Sequence, residues 1–129
     1  MSVFSETILS SRAVKKALEM RDGFFRYCEL SAASLEGGEF DGVFVRCRFQ
    51  DMEWYWGHFN AAVLIDCTFE NCTFRGTLFS GCRIVHCVFK NCRFLKDNLN
   101  ALCEATETSV YGCRFENCEG FNELFESNV

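Results

Sequence analysis

From Gly42 to Asn100 a large apolar residue returns every five positions: Phe44, Phe49, Trp54, Phe59, Leu64, Phe69, Phe74, Phe79, Ile84, Phe89, Phe94 and Leu99. Two positions before most of them sits a small residue: Cys47, Cys67, Cys72, Cys82, Cys87 or Cys92, and elsewhere Gly42, Gly57, Ala62 or Thr77. A repeat this regular sets the fold before any other feature. A straight strand needs an even period, because its side chains alternate between faces. A helix fails too, since five steps overshoot a full turn by roughly 140°. Within one unit, two inward residues flanking one outward residue is strand geometry. The chain must therefore turn once every five residues, which winds it into a coil with a filled centre, a β-helix of the solenoid class. Cysteine recurrence does not decide between three sides and four.

The units Cys67-Thr68-Phe69-Glu70-Asn71 and Cys72-Thr73-Phe74-Arg75-Gly76 resemble those of the pentapeptide-repeat proteins. The resemblance covers roughly residues 23 to 126. It implies an all-β solenoid, a right-handed quadrilateral β-helix with four units per coil, and four-sidedness then stacks Cys47, Cys67 and Cys87 in one column. It says little about function, because the family serves unrelated roles on one scaffold.

The ends follow different patterns. Residues 1–22 do not repeat. Phe4, Ile8, Leu9, Ala13, Val14, Ala17 and Leu18 recur at helical spacing, Ser5 can cap the start and Gly23 can end the run. An amphipathic helix of about 15 residues is expected, serving as a cap on the open end of the solenoid or as a partner-binding element. The β-helix is expected over 23–126, starting with Phe25, Leu30, Leu35 and Phe40. One residue is missing between Phe40 and Phe44, and Gly38 and Gly42 flank that slip. A second break lies at 100–109, read as either a one-residue insertion or a larger loop. Beyond it, Cys113, Phe115, Cys118 and Phe125 share a new phase. The tail from Phe121 to Phe125 is apolar enough to close the upper end or to pair with a second copy.

Composition narrows the class. The 129 residues fit one domain, 15 Phe supply its core, and proline, which would interrupt a backbone ladder, is absent. No apolar run is long enough for a membrane span, and the N-terminus lacks a secretory pattern. Nine of the ten cysteines, all but Cys103, sit at the small inward position, where a free thiol packs as a compact hydrophobe. This points to a reducing, cytoplasmic compartment rather than a disulfide framework.

Candidate chemistry is sparse. His58 and His86 point outward with no serine or cysteine nucleophile expected beside them. The cysteines, five apart on successive sides, do not form the short pairs of a structural zinc site. No glycine-rich phosphate loop is present. The sequence therefore points to no catalytic residue, no metal and no cofactor.

Function is expected on the outside. On the side carrying Phe44, Leu64 and Ile84, the outward neighbours are Val43, Val63 and Arg83 on one flank and Val45, Ile65 and Val85 on the other. Five β-branched apolar residues on one face mark a contact, although such residues also favour strands for their own sake. The face would accept another protein, a second copy or the chain's own N-terminal helix. Tyr55 and Trp56 form an outward aromatic corner, a hot-spot composition unless a terminal segment covers it.

The expected function is a non-enzymatic, protein-binding scaffold, for instance a bacterial immunity protein that blocks a toxin. The alternative comes from the resemblance: some family members protect bacterial DNA gyrase by imitating duplex DNA. The net charge of −5 argues against direct nucleic-acid binding. Its distribution counts against mimicry, because residues 42–101 hold five acids and seven bases, and the acidity lies at the ends.

Overall fold

The computed structural model describes residues 2–4, 7–8, 11–19 and 23–125. A half-coil, β1 (Ser2–Phe4) and β2 (Thr7–Ile8), precedes helix α1 (Ser11–Leu18). The first complete coil is β3 (Gly23–Arg26), β4 (Glu29–Ser31), β5 (Ser34–Glu36) and β6 (Glu39–Phe40). The second is β7 (Val43–Val45), β8 (Arg48–Gln50), β9 (Glu53–Tyr55) and β10 (His58–Asn60). The third is β11 (Val63–Ile65), β12 (Thr68–Glu70), β13 (Thr73–Arg75) and β14 (Leu78–Ser80). The fourth is β15 (Arg83–Val85), β16 (Val88–Lys90), β17 (Arg93–Leu95) and β18 (Glu104–Thr106). A closing half-coil, β19 (Ser109–Tyr111) and β20 (Arg114–Glu116), leads into helix α2 (Phe121–Phe125).

The strands pair in parallel into four sheets, which are the four sides of the coil. Side A is β1-β3-β7-β11-β15-β19, and side B is β2-β4-β8-β12-β16-β20. Side C is β5-β9-β13-β17, and side D is β6-β10-β14-β18. At about 4.8 Å per step the six-stranded sides are roughly 24 Å tall. Sides C and D are two strands shorter, and at each end a helix takes their place. Helix α1 packs on β4 and β5, burying Val14, Ala17 and Leu18 in the core. Helix α2 packs on β17 and β18. Its Phe121 extends the side B ring stack from Phe115 at 4.5 Å, and Phe125 meets Phe79, Phe94 and Phe115. The tail thus closes the upper end.

Inside, in-register pairing stacks like on like. Phe49, Phe69 and Phe89 are spaced 4.5 and 4.7 Å apart, and Trp54, Phe74 and Phe94 lie 4.8 Å apart. All planes lie within 6° of parallel. Most corners turn through a residue in the left-handed region, such as Arg46, Asp66 and His86, all at φ 53°. Corner amides bond to the next coil, as Arg46 N–H does to Ile65 O at 2.8 Å.

The N-terminal helix is shorter than its apolar spacing suggests. Phe4 and Ile8 lie in strands, paired with Phe25 and Leu30. A spacing of four fits a helical turn and also one shortened side of a coil, and the open sheet edge takes it. Ser5 and Leu9 lie outside the described residues. The slip after Phe40 is a four-residue side of the same kind. Gly42 is required there for space, because an added Cβ would come 3.1 Å from Gly23 O.

The second break is a loop of six extra residues between Phe94 and the next inward centre, Ala105. Leu99, expected inside, is 79% exposed in a turn. Cys103, excluded from the repeat on sequence, occupies the small inward position before Ala105, and its Sγ donates to Phe74 O at 3.3 Å.

Candidate binding surfaces

The cysteines do more than fill space. Cys67 Sγ donates to Phe44 O at 3.4 Å, Cys87 Sγ to Leu64 O at 3.4 Å and Cys113 Sγ to Ile84 O at 3.4 Å, each one coil below. Thr77 and Thr108 stand in equivalent places and donate to Trp54 O at 3.2 Å and Phe79 O at 3.1 Å. The position selects a small side chain with one donor. All ten thiols are free. Burial pushes Cys82, Cys103 and Cys118 above the ordinary thiol range, which keeps them protonated and poorly nucleophilic at neutral pH. No group of three metal-ligating side chains forms among the described residues.

His58 does have a hydroxyl beside it, contrary to the expectation from sequence. Its Nε2 lies 3.0 Å from Ser80 Oγ. The two are 22 residues apart, one coil and two positions, which makes them diagonal neighbours across the ladder. The pair sits on a flat side, and the carboxylate below it, Glu39, accepts from Asn60 Nδ2 at 3.1 Å instead. The surrounding amides are spent in the ladder, with His58 N–H bonded to Gly38 O and Leu78 N–H to Gly57 O. The pair therefore has neither a carboxylate to orient the imidazole nor free amides for an oxyanion.

Side A carries the apolar stripe. Val43, Val63 and Arg83 stack in one outward column, and Val45, Ile65 and Val85 in the other. Register adds Phe24 below Val43 and Tyr111 above Val85, two members the sequence reading missed. The Val and Ile side chains are half-buried, while Tyr111 is 68% exposed. Neither helix lies over this face. Along the A–B corner runs a polar border: Arg46 Nη1 donates to Tyr27 OH at 3.1 Å and its Nε lies 3.8 Å from Asp66.

Tyr55 and Trp56 sit at the C–D corner, their rings edge to face at 4.3 Å. Both hold the inserted loop. Trp56 Nε1 donates to Asp97 Oδ2 at 2.8 Å, and Tyr55 OH accepts from Asn98 N–H at 2.9 Å. Asp97 Oδ1 also accepts from the Leu99 and Ala101 amides at 2.8 Å each. The Ala101 amide, with Trp56 and the Leu99 amide, holds the Asp97 carboxyl below the usual carboxylate range. The loop folds down over Gly76, where a Cβ would stand 2.9 Å from Asp97 Oδ2. A loop segment thus covers part of the aromatic corner, and Trp56 stays 39% exposed.

Known proteins agree with this geometry. Residues 58–94 match the family model for pentapeptide repeats in eight copies. No curated protein sequence matches the chain. Among solved structures, it is similar to a pentapeptide repeat protein, Rfr23, from the cyanobacterium Cyanothece 51142, with a TM-score of 0.50 and 14% identity. That match covers 74% of this chain and 59% of the other. The five-residue period, the four sheets and both matches give the chain a pentapeptide-repeat β-helix fold, with pentapeptide repeats recognised over residues 58–94.

Proposed function

We propose that this protein is a non-enzymatic scaffold that binds another protein through the outside of side A. The observation that carries the reading is the pair of apolar columns, Phe24-Val43-Val63 and Val45-Ile65-Val85, displayed on a rigid sheet. The stripe covers on the order of 200 Å² from strand spacings, against about 800 Å² per partner in a standard interface. It therefore forms the apolar centre of a contact, and the Tyr27–Arg46–Asp66 corner forms its polar rim. The finer form of the reading is an inhibitor, such as an immunity protein that covers a toxin in a reducing compartment. No described helix is long and apolar enough to cross a membrane.

The test is affinity purification from the native cell with wild type and Val45→Asp/Ile65→Asp, both checked for folding and for oligomeric state. Loss of a stoichiometric protein partner, or of a dimer, supports the reading. An unchanged partner set and unchanged oligomeric state remove it.

Protection of a type II topoisomerase by DNA mimicry is the second reading, and side D favours it. Glu39 and Glu104 lie on its strands, Asp41 and Glu107 follow them, and the strands carry no Lys or Arg. However, His58, Asn60, Leu78 and Ser80 separate the two acidic ends. The side is also only about 14 Å tall at 4.8 Å per strand, or about four base pairs. A gyrase supercoiling assay with and without a fluoroquinolone decides, since a protein without effect leaves nothing for this reading to explain.

A further inference from the structure

We infer that the C–D corner is a second contact surface, built for a cationic segment with an apolar face, and independent of side A. Four of the six exposed large hydrophobic residues among those described lie around this corner. They are Trp56 at 39%, Leu78 at 39%, Leu99 at 79% and Leu102 at 51%. Leu99 and Leu102 belong to the one insertion in the central ladder, and that insertion is ordered. Asp97 accepts three N–H groups, Asp97 N–H bonds to Ala101 O at 2.9 Å, and Tyr55 fixes Asn98. A loop held this firmly while its leucines face water lowers the ordering cost of binding. Exposed apolar groups gathered at one place mark a contact.

Charge selects the occupant. Side D adjoins the corner and offers Glu39, Asp41, Glu104 and Glu107 without a Lys or Arg on its strands. Among the described residues no ion pair lies on side D. The cations at the corner are Lys96, at the start of the loop, and Arg75, which pairs with Glu53 at 3.5 Å. The height of side D matches a helix of about ten residues. An amphipathic helix would lay its leucines on Trp56, Leu78 and Leu99 and its lysines along side D.

The test titrates the full chain with an 18-residue (~27 Å) Leu/Lys amphipathic peptide and its Leu/Glu counterpart, by calorimetry and by Trp56 fluorescence. The Leu/Lys peptide is expected to bind saturably at one to one, and the Leu/Glu peptide is not. Leu99→Ser/Leu102→Ser is expected to weaken binding at least about tenfold at an unchanged urea midpoint, since both side chains are exposed. Glu104→Gln/Glu107→Gln is expected to flatten the salt dependence, and Val45→Asp/Ile65→Asp to leave affinity unchanged. Equal binding of the two peptides, no saturable binding, or full affinity in Leu99→Ser/Leu102→Ser overturns the proposal. None of those results bears on side A.

Discussion

The indole Nε1 of Trp56 donates to Asp97 Oδ2 across 2.8 Å and 41 residues of chain. That bond turns a six-residue insertion into a fixed part of the surface. Asp97→Ala removes the acceptor for three N–H groups at once. Amide exchange at Leu99 and Ala101 is expected to quicken by about tenfold or more, as local opening requires. The thermal midpoint should hardly move, because the coil beneath keeps its ladder.

Acid should release the same loop. Asp97 has its pKa lowered in the folded state, so its contribution is present above the unfolded value of about 3.9. It is lost as pH falls through that value and below. Trp56 fluorescence in a Trp54→Phe background, followed from about pH 6 to about pH 2.5, is expected to report loop release below about pH 4, before the core melts. Asp97→Asn, which cannot titrate, should abolish this early transition.

The inward thiols are expected to behave as donors. Cys67→Val keeps a small apolar side chain but leaves Phe44 O without the Sγ–H at 3.4 Å, which costs about 1 kcal/mol. Cys67→Thr restores a donor in the manner of Thr77 and should recover part of that loss. Urea unfolding of the two variants measures the difference.

Trp54 is fully buried, and its Nε1 has no hydrogen-bond partner among the described residues. Most other centres at this level are Phe. Trp54→Phe removes the orphan N–H, which costs about 1–3 kcal/mol to bury, and loses ring volume against Phe74. The opposing effects should leave a net change below about 1.5 kcal/mol, well short of the roughly 3–5 kcal/mol of a Trp-to-Ala truncation. Denaturant midpoints of the two variants test the contrast.

Ala61 turns its corner at φ 54°. The left-handed conformation costs an L-residue about 1–2 kcal/mol, while glycine adds about 0.5–1 kcal/mol of chain entropy. Ala61→Gly should therefore stabilise the fold by about 0.5 kcal/mol, read as a raised urea midpoint.

The columns were legible because one five-residue rule fixes every inward side chain of the central coils, and Val43, Val45, Val63, Ile65 and Val85 follow from it as outward residues. Phe24 was legible too, since Phe25 is inward, but a neighbouring pair of phenylalanines hides which one faces out. Leu99 misled because it is apolar and five residues past Phe94, although the inward centre is the small Ala105. Apolar spacing cannot register a loop that leaves the coil and returns. Phe4 and Ile8 misled because a spacing of four fits a helix and a shortened side alike. The contacts of Tyr55, Trp56 and His58 bridge 22 to 43 residues, and they arise only once the coil height and the fold of the loop are set.

Side A is the centre of this account, and the direct measurement is a calorimetric titration of the protein partner recovered from the native cell. Wild type is compared with Ile65→Asp, whose side chain faces out and leaves the core intact. One buried carboxylate in the apolar stripe is expected to lower affinity at least about a hundredfold at an unchanged urea midpoint. Full affinity of Ile65→Asp would contradict it.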